Sequence, residues 1–135
     1  MTTIESKIGK IQTSADQLYE KFSDLSRLDL LKDQLPTDKI TNWKATPDTL
    51  SFTVGGMAGV QLSVVERDPG KTLKIAGEGA GMKFNFWVQL KELAEHDTRI
   101  KLTFRSDLNF MMKSLLEGKI KSGMDTLVEG LERMV

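Results

Sequence analysis

Cysteine is absent from the 135 residues, histidine occurs once, proline three times, and nineteen acidic residues cancel nineteen basic ones. Without cysteine there can be no disulfide, no thiolate metal site and no cysteine nucleophile. A metal would have only carboxylates scattered along helix surfaces and turns, so neither a metal nor another cofactor is expected. With no net charge, no overall field draws the chain to nucleic acid or an anionic membrane, and no basic cluster with interleaved aromatics appears. A nucleic-acid partner is therefore not expected. No apolar run approaches the ~18 residues of a membrane span, and the start, MTTIESKIGK, carries no apolar signal core. These absences argue against stable membrane insertion and lead us to expect a cytoplasmic protein.

What is present is an ordinary globular composition, 39% hydrophobic and 28% charged, with no repeat or linker. A single domain spanning 1–135 is expected, long enough to bury about two thirds of its unfolded surface. Residues 3–11 alternate loosely, with Ile4 and Ile8 on one face, and read as a strand. Ser14 and Gln17 form a capping-box pattern ahead of Ala15, Leu18, Tyr19, Phe22 and Leu25, which follow helical spacing. Tyr19 falls on that apolar stripe, so a packed ring with a tethered hydroxyl is expected there. A second short helix is expected to carry Leu28, Leu31 and Leu35 and to stop at Pro36.

From Ile40 to Leu108 the period becomes two, giving six expected strands at about 40–44, 49–54, 59–67, 71–77, 83–94 and 98–107. Their short connections imply an antiparallel meander. Leu50, Phe52, Val54, Leu62, Val64, Leu73 and Ile75 point to one face. Phe84, Phe86, Val88, Leu90, Ile100, Leu102 and Phe104 join them there. The opposite face is wet apart from Trp87. A long helix from about Phe110 to Met134 follows, with Met112, Leu116, Ile120, Met124, Leu127 and Leu131 as its stripe. Sheet and helix have only each other to bury against.

Two stretches imitate phosphate loops and fail on inspection. GEGAG (77–81) has the spacing G-x-G-x-G, and KFNFWVQL after it alternates as a strand, so no helix N-terminus is there to hold a pyrophosphate. Gly70-Lys71-Thr72 imitates a Walker A tail, but Val65 stands where glycine is required, and DPG is a turn sequence in its own right. His96, in AEHDT between two strands, reads as an exposed turn residue.

Counting turns through the meander divides its two ends. TPD, RDPG and AEHDT share one end; GGMAG, GEGAGM and LNFMM gather at the other. The second end holds Gly55, Gly56, Gly59, Gly77, Gly79 and Gly81 together with Met57, Met82, Met111 and Met112. Methionine is adaptable apolar surface and glycine admits close approach. Such a rim over an apolar interior could be the entrance to a greasy pocket, or equally the surface of a homodimer. Gly123 and Gly130 lie on or beside the helix's apolar arc, where a missing side chain leaves room for close packing or for a ligand.

The order of elements, with SADQLYEKFSDLSRL, VVERDPGKTLKI, FNFWVQL and TRIKLTF as its local carriers, resembles the START-like superfamily, also called SRPBCC. The resemblance covers essentially the whole chain and is to small bacterial members of unassigned function. It implies an α+β helix-grip fold: a curved seven-stranded antiparallel sheet wrapped around a long C-terminal helix, with two short helices after the first strand. The superfamily includes lipid-transfer domains, plant pathogenesis-related allergens and bacterial polyketide cyclases. The allergens carry a glycine-rich loop between their second and third strands, where KATPD stands here, so GEGAG is not that loop.

The resemblance implies a hydrophobic small molecule as partner, a lipid, isoprenoid or polyketide, held between sheet and helix. Phe52, Val54, Leu62, Ile75, Phe84, Phe86 and Phe104 would line the cavity with Met112, Leu116, Ile120 and Gly123. Gly55, Gly56, Met57, Gly77, Gly79, Gly81, Met82 and Met111 would form the entrance. Because the inward positions are almost all hydrocarbon, a non-enzymatic carrier or sensor is the first expectation and no catalytic residue is assigned. The alternatives are a cyclase or dehydratase using Ser106, Asp107 or Asn109 near the mouth, and an interaction module docking through its methionine rim.

Overall fold

A computed structural model describes residues 2–28, 40–54, 59–79 and 81–133. The chain runs through β1 (Thr2–Glu5), β2 (Gly9–Ile11), α1 (Ala15–Ser23) and one 3-10 turn (Leu25–Leu28). Then follow β3 (Ile40–Ala45), β4 (Thr49–Val54), β5 (Gly59–Asp68), β6 (Thr72–Gly79), β7 (Met82–Ala94), β8 (Asp97–Ser106) and α2 (Phe110–Arg133). The strands form one antiparallel sheet in the order β1-β8-β7-β6-β5-β4-β3. This is the α+β helix-grip arrangement, with seven strand positions, the first filled by two short strands that both pair with β8.

The break in that first strand corrects the expected face of Ile8. Ser6 interrupts the alternation: its Oγ accepts from Leu102 N–H at 2.9 Å and donates to the Lys7 carbonyl at 2.7 Å. The chain resumes in a shifted phase, leaving Ile8 exposed while Ile4 and Ile11 are buried. Ser14 caps α1 as expected, accepting from Gln17 N–H at 3.2 Å. The reciprocal half of the capping box does not form, because the Gln17 side-chain oxygen accepts from Thr13 Oγ1 and Glu92 takes the Ala15 N–H at 2.7 Å. The second short helix expected over Leu28 to Leu35 lies, after its first residue, outside the described residues.

The meander closes through tight turns. Gly70 and Gly81 both have φ +76°, the left-handed conformation that hairpin turns demand and glycine adopts without strain. On the outer face Lys74 Nζ stands 5.5 Å from the Trp87 ring centroid, a cation–π contact that covers the one aromatic the alternation left facing water.

α2 packs chiefly on β1, β2 and β8. The approach is close at Gly9, where a Cβ would stand 2.5 Å from Val128 Cγ1 and 2.9 Å from Ile100 Cγ2. Lys7 fastens the same edge, its Nζ 2.6 Å from Glu129 Oε1 and its N–H donating to Asp125 Oδ1 at 2.7 Å. Met124, Val128 and Leu131 are buried, and Val128 rather than the neighbouring Leu127 supplies the fully buried position.

Candidate functional site

Burial along the concave face is uneven, and this defines the site. At the end of the sheet that carries the turns 46–48, 69–71 and 95–96, α1 closes over the interior. Leu18, Leu25, Leu73, Ile100, Leu102 and Val128 are each no more than 1% exposed. Arg67 ties this end together, donating to the carbonyls of Ser23 and Pro47 at 3.3 Å and pairing with Asp48 at 2.6 Å. At the opposite rim, inward-facing side chains are only half covered: Phe52, Leu62, Met82, Phe84 and Phe86 from the sheet, and Met112, Leu116 and Ile120 from α2.

Each expected lining residue can now be located. Ile75 and Phe104 are buried in the floor, while Phe52, Leu62, Phe84, Phe86, Met112 and Ile120 form the half-covered surface packed above it, and Leu116 is partly covered on α2. Gly123 is exposed on α2, and a Cβ there would meet nothing within 4 Å. Gly55, Gly56 and Met57 lie outside the described residues, as does the Val54 side chain. Met111 is 72% exposed on α2.

The glycines at the rim have separate structural duties. β6 and β7 extend into the stretch expected as a loop, pairing Gly79 with Met82 and leaving only residues 80 and 81 between them. Gly77 pairs with Phe84 across the two strands, and the Phe84 ring lies over it: a Cβ on Gly77 would fall 2.2 Å from the ring carbons. The ring in turn packs against Phe104 at 5.0 Å between centroids. At Gly79 a Cβ would stand 3.0 Å from Val60 Cγ2 and 3.2 Å from the Gly59 carbonyl. Gly77 and Gly79 therefore serve close packing in β6, and Gly81 serves the turn.

Trp43 joins this surface without having been foreseen in the sequence. Asn42 has φ +56°, at the point where the register of β3 against β4 shifts between Thr41 and Lys44. The bulge turns Trp43 to the concave side, where it stacks on Phe52 at 5.8 Å. An asparagine inside a strand is the signal that would have flagged it, since asparagine tolerates the left-handed conformation. An open depression of about 800 Å³ at the rim is lined by Trp43, Phe52, Val60, Gly79 and Gly81 together with polar residues that include Asn42, Lys44, Gln61 and Glu78. A second, of about 480 Å³, lies over the polar outer face at Glu78, Lys83, Asn85, Arg105 and Asp107.

Two of the three polar groups near the mouth, Ser106 and Asn109, are committed to the fold. Ser106 is buried and donates its hydroxyl to the Lys83 carbonyl at 2.8 Å. Asn109 caps α2, its Oδ1 accepting from Met112 N–H at 2.8 Å. Asp107 is exposed beside the outer depression. His96, 67% exposed with φ +59°, occupies the turn before β8. Tyr19 is buried edge-on to Phe22 at 5.5 Å, and burial raises its phenol pKa by disfavouring the phenolate. Among the described residues its hydroxyl has no hydrogen-bond partner, so the expected tether is not found there. Among the described residues no group of three or more His, Asp or Glu could hold a metal. No helix there is long and apolar enough to cross a membrane.

No protein-family model and no curated protein matches the sequence. Solved structures do match in shape. A START superfamily protein from Mycobacterium smegmatis superposes with TM-score 0.75 at 14% identity, covering 98% of this chain and 96% of that one. Norcoclaurine synthase from Thalictrum flavum, solved as a point mutant with a transition-state analogue, gives 0.77 at 14% identity, covering 98% and 92%. A protein from Chromobacterium violaceum gives 0.73 at 12% identity, covering 100% and 98%. The eight-stranded sheet, the long C-terminal helix and these superpositions together establish a START-like helix-grip fold for this chain.

Proposed function

We propose that the protein binds a hydrophobic small molecule, such as a lipid, isoprenoid or polyketide, and carries or senses it in the cytoplasm. The molecule lies between the half-covered concave face and the first half of α2, with Met82 and the rim glycines at its entrance. The observation that carries this reading is the burial gradient. Phe52, Phe84, Phe86, Leu116 and Ile120 remain half covered while the other end of the same face is sealed. Covering that surface with a ligand yields about 25 cal/mol per Å² before the costs of association. Non-enzymatic binding is favoured because Ser106 and Asn109 are held in structural hydrogen bonds and the half-covered surface is made almost entirely of aliphatic, aromatic and thioether side chains.

A cyclase-type enzyme is the second reading, favoured by the likeness of the fold to norcoclaurine synthase. Native mass spectrometry of freshly purified protein tests the first. A co-purifying apolar mass, lost in Ile120→Trp, is expected. Clean apo protein that takes up neither lipids nor a hydrophobic fluorophore would overturn it.

A further inference from the structure

Trp43 reaches the concave face through a break in the register of its strand. Thr41 pairs with Thr53, so regular alternation would set Asn42 opposite Phe52 on the inner side and turn Trp43 outward. By Lys44, paired with Ser51, the register has moved by one residue, and Asn42 and Trp43 together oppose Phe52. Asn42 takes up the extra length at φ +56°, a conformation that asparagine and glycine tolerate and a β-branched residue does not. Its side-chain amide donates to Thr53 Oγ1 at 3.4 Å, on the outer side of the sheet.

A bulge protects an edge strand from pairing with another chain, but that duty needs no tryptophan on the inner face. β3 ends the sheet on the side away from β1, β2 and β8, against which α2 packs. Trp43 touches the margin of the core while its ring stays half covered. It stacks on Phe52 with 5.8 Å between centroids and 23° between planes. The pair forms one wall of the 800 Å³ depression, beside Val60 and Gly79. At Gly79 a Cβ would stand 3.0 Å from Val60 Cγ2, so the floor next to the pair stays low. Four of the half-covered side chains on this part of the sheet are aromatic, Trp43, Phe52, Phe84 and Phe86.

We propose that Trp43 is a specificity-determining residue of the apolar site and that Asn42 positions it, the stacked pair favouring ligands that carry a flat ring over unbranched acyl chains. The inference rests on the apolar-ligand reading and narrows it. Any apolar ligand gains from the area it buries. A ring gains further from offset or edge-on contact with aromatic side chains, roughly two- to tenfold in affinity, and a saturated chain has no such gain. Stacking also needs a wall held in one place. Pairing of β3 with β4 on both sides of the bulge provides that.

Calorimetric titration of the full chain with 2-naphthol and with 1-decanol tests this. Both are ten-carbon alcohols, one flat and one a chain, and both are uncharged because Lys44 and Glu78 line the same depression. Trp43→Leu is expected to weaken 2-naphthol roughly two- to tenfold and to leave 1-decanol within about twofold. Asn42→Val should weaken 2-naphthol as Trp43→Leu does, and Asn42→Gly, free to adopt the same backbone conformation, should restore it. The indole Nε1–H signal of Trp43, identified by its persistence in Trp87→Phe, should shift further with 2-naphthol than with 1-decanol. Should Asn42→Val fail to fold, Trp43→Leu and the indole signal decide. Equal weakening of both alcohols by Trp43→Leu, an indole signal unmoved at saturation, or an Asn42→Gly chain that binds 2-naphthol no better than Trp43→Leu does would overturn the proposal while leaving the apolar-ligand reading in place. Wild type that binds neither alcohol would overturn both.

Discussion

Replacing Gly77 by alanine puts a methyl group where the Phe84 ring now lies, 2.2 Å from its outer carbons. The ring must leave its place on β6 and give up its contact with Phe104, 5.0 Å away. Overpacking of this kind costs about 1–3 kcal/mol, and the lost aromatic pair about 0.5–1.5 kcal/mol. Against this, Gly77 is not among the residues with positive φ, so alanine gains about 0.4–1 kcal/mol by restricting the unfolded chain. Because Phe84 is half buried at the rim and can swing, the net cost should be about 1–2 kcal/mol. In a Phe84→Ala background no ring stands over the site, and the same substitution should become neutral or stabilise by about 0.5 kcal/mol. Urea denaturation of the two single variants and the double variant measures the difference, with unchanged m-values as the check on compactness. An equal cost of Gly77→Ala in both backgrounds would refute the close approach.

Leu102→Ala, at the sealed end, should cost about 3–4 kcal/mol, whereas Leu116→Ala, half exposed on α2, should cost about 1 kcal/mol; equal losses in urea melts would contradict the burial gradient. The Lys7–Glu129 pair sets a pH dependence. Its hydrogen bond holds Glu129 below the ordinary 4.5 and Lys7 above 10.5. The Glu129 contribution is therefore present above 4.5 and lost as pH falls through its lowered value; that of Lys7 is present below 10.5 and lost as pH rises through its raised one. Both side chains are exposed, so the effect is small, and added salt should move the Glu129 midpoint in a carboxyl NMR titration back toward 4.5.

The meander was legible in the sequence because its turns are short and its strands alternate. The face of each of Leu50, Leu73, Val88, Ile100 and Leu102 follows from parity alone, and all five are buried. Parity failed where a hydrogen bond or a left-handed residue reset it. Ser6 takes over part of the β8 ladder and turns Ile8 outward; Asn42 bends β3 and turns Trp43 inward. The glycines of GEGAG read as a loop because nothing local reveals that an aromatic ring from the next strand will lie on Gly77. The extent of the candidate site was least legible. Alternation says that Phe86 and Val88 point the same way, but α1 covers only one end of the face, and that depends on tertiary packing.

Methyl chemical-shift mapping during titration with a medium-chain fatty acid tests the central claim most directly. The account predicts shifts at Leu62, Met82, Met112, Leu116 and Ile120, with Leu18, Leu102 and Val128 unmoved. Saturation without any shift in the first group, or shifts confined to residues around Lys83 and Arg105 on the outer face, would contradict it.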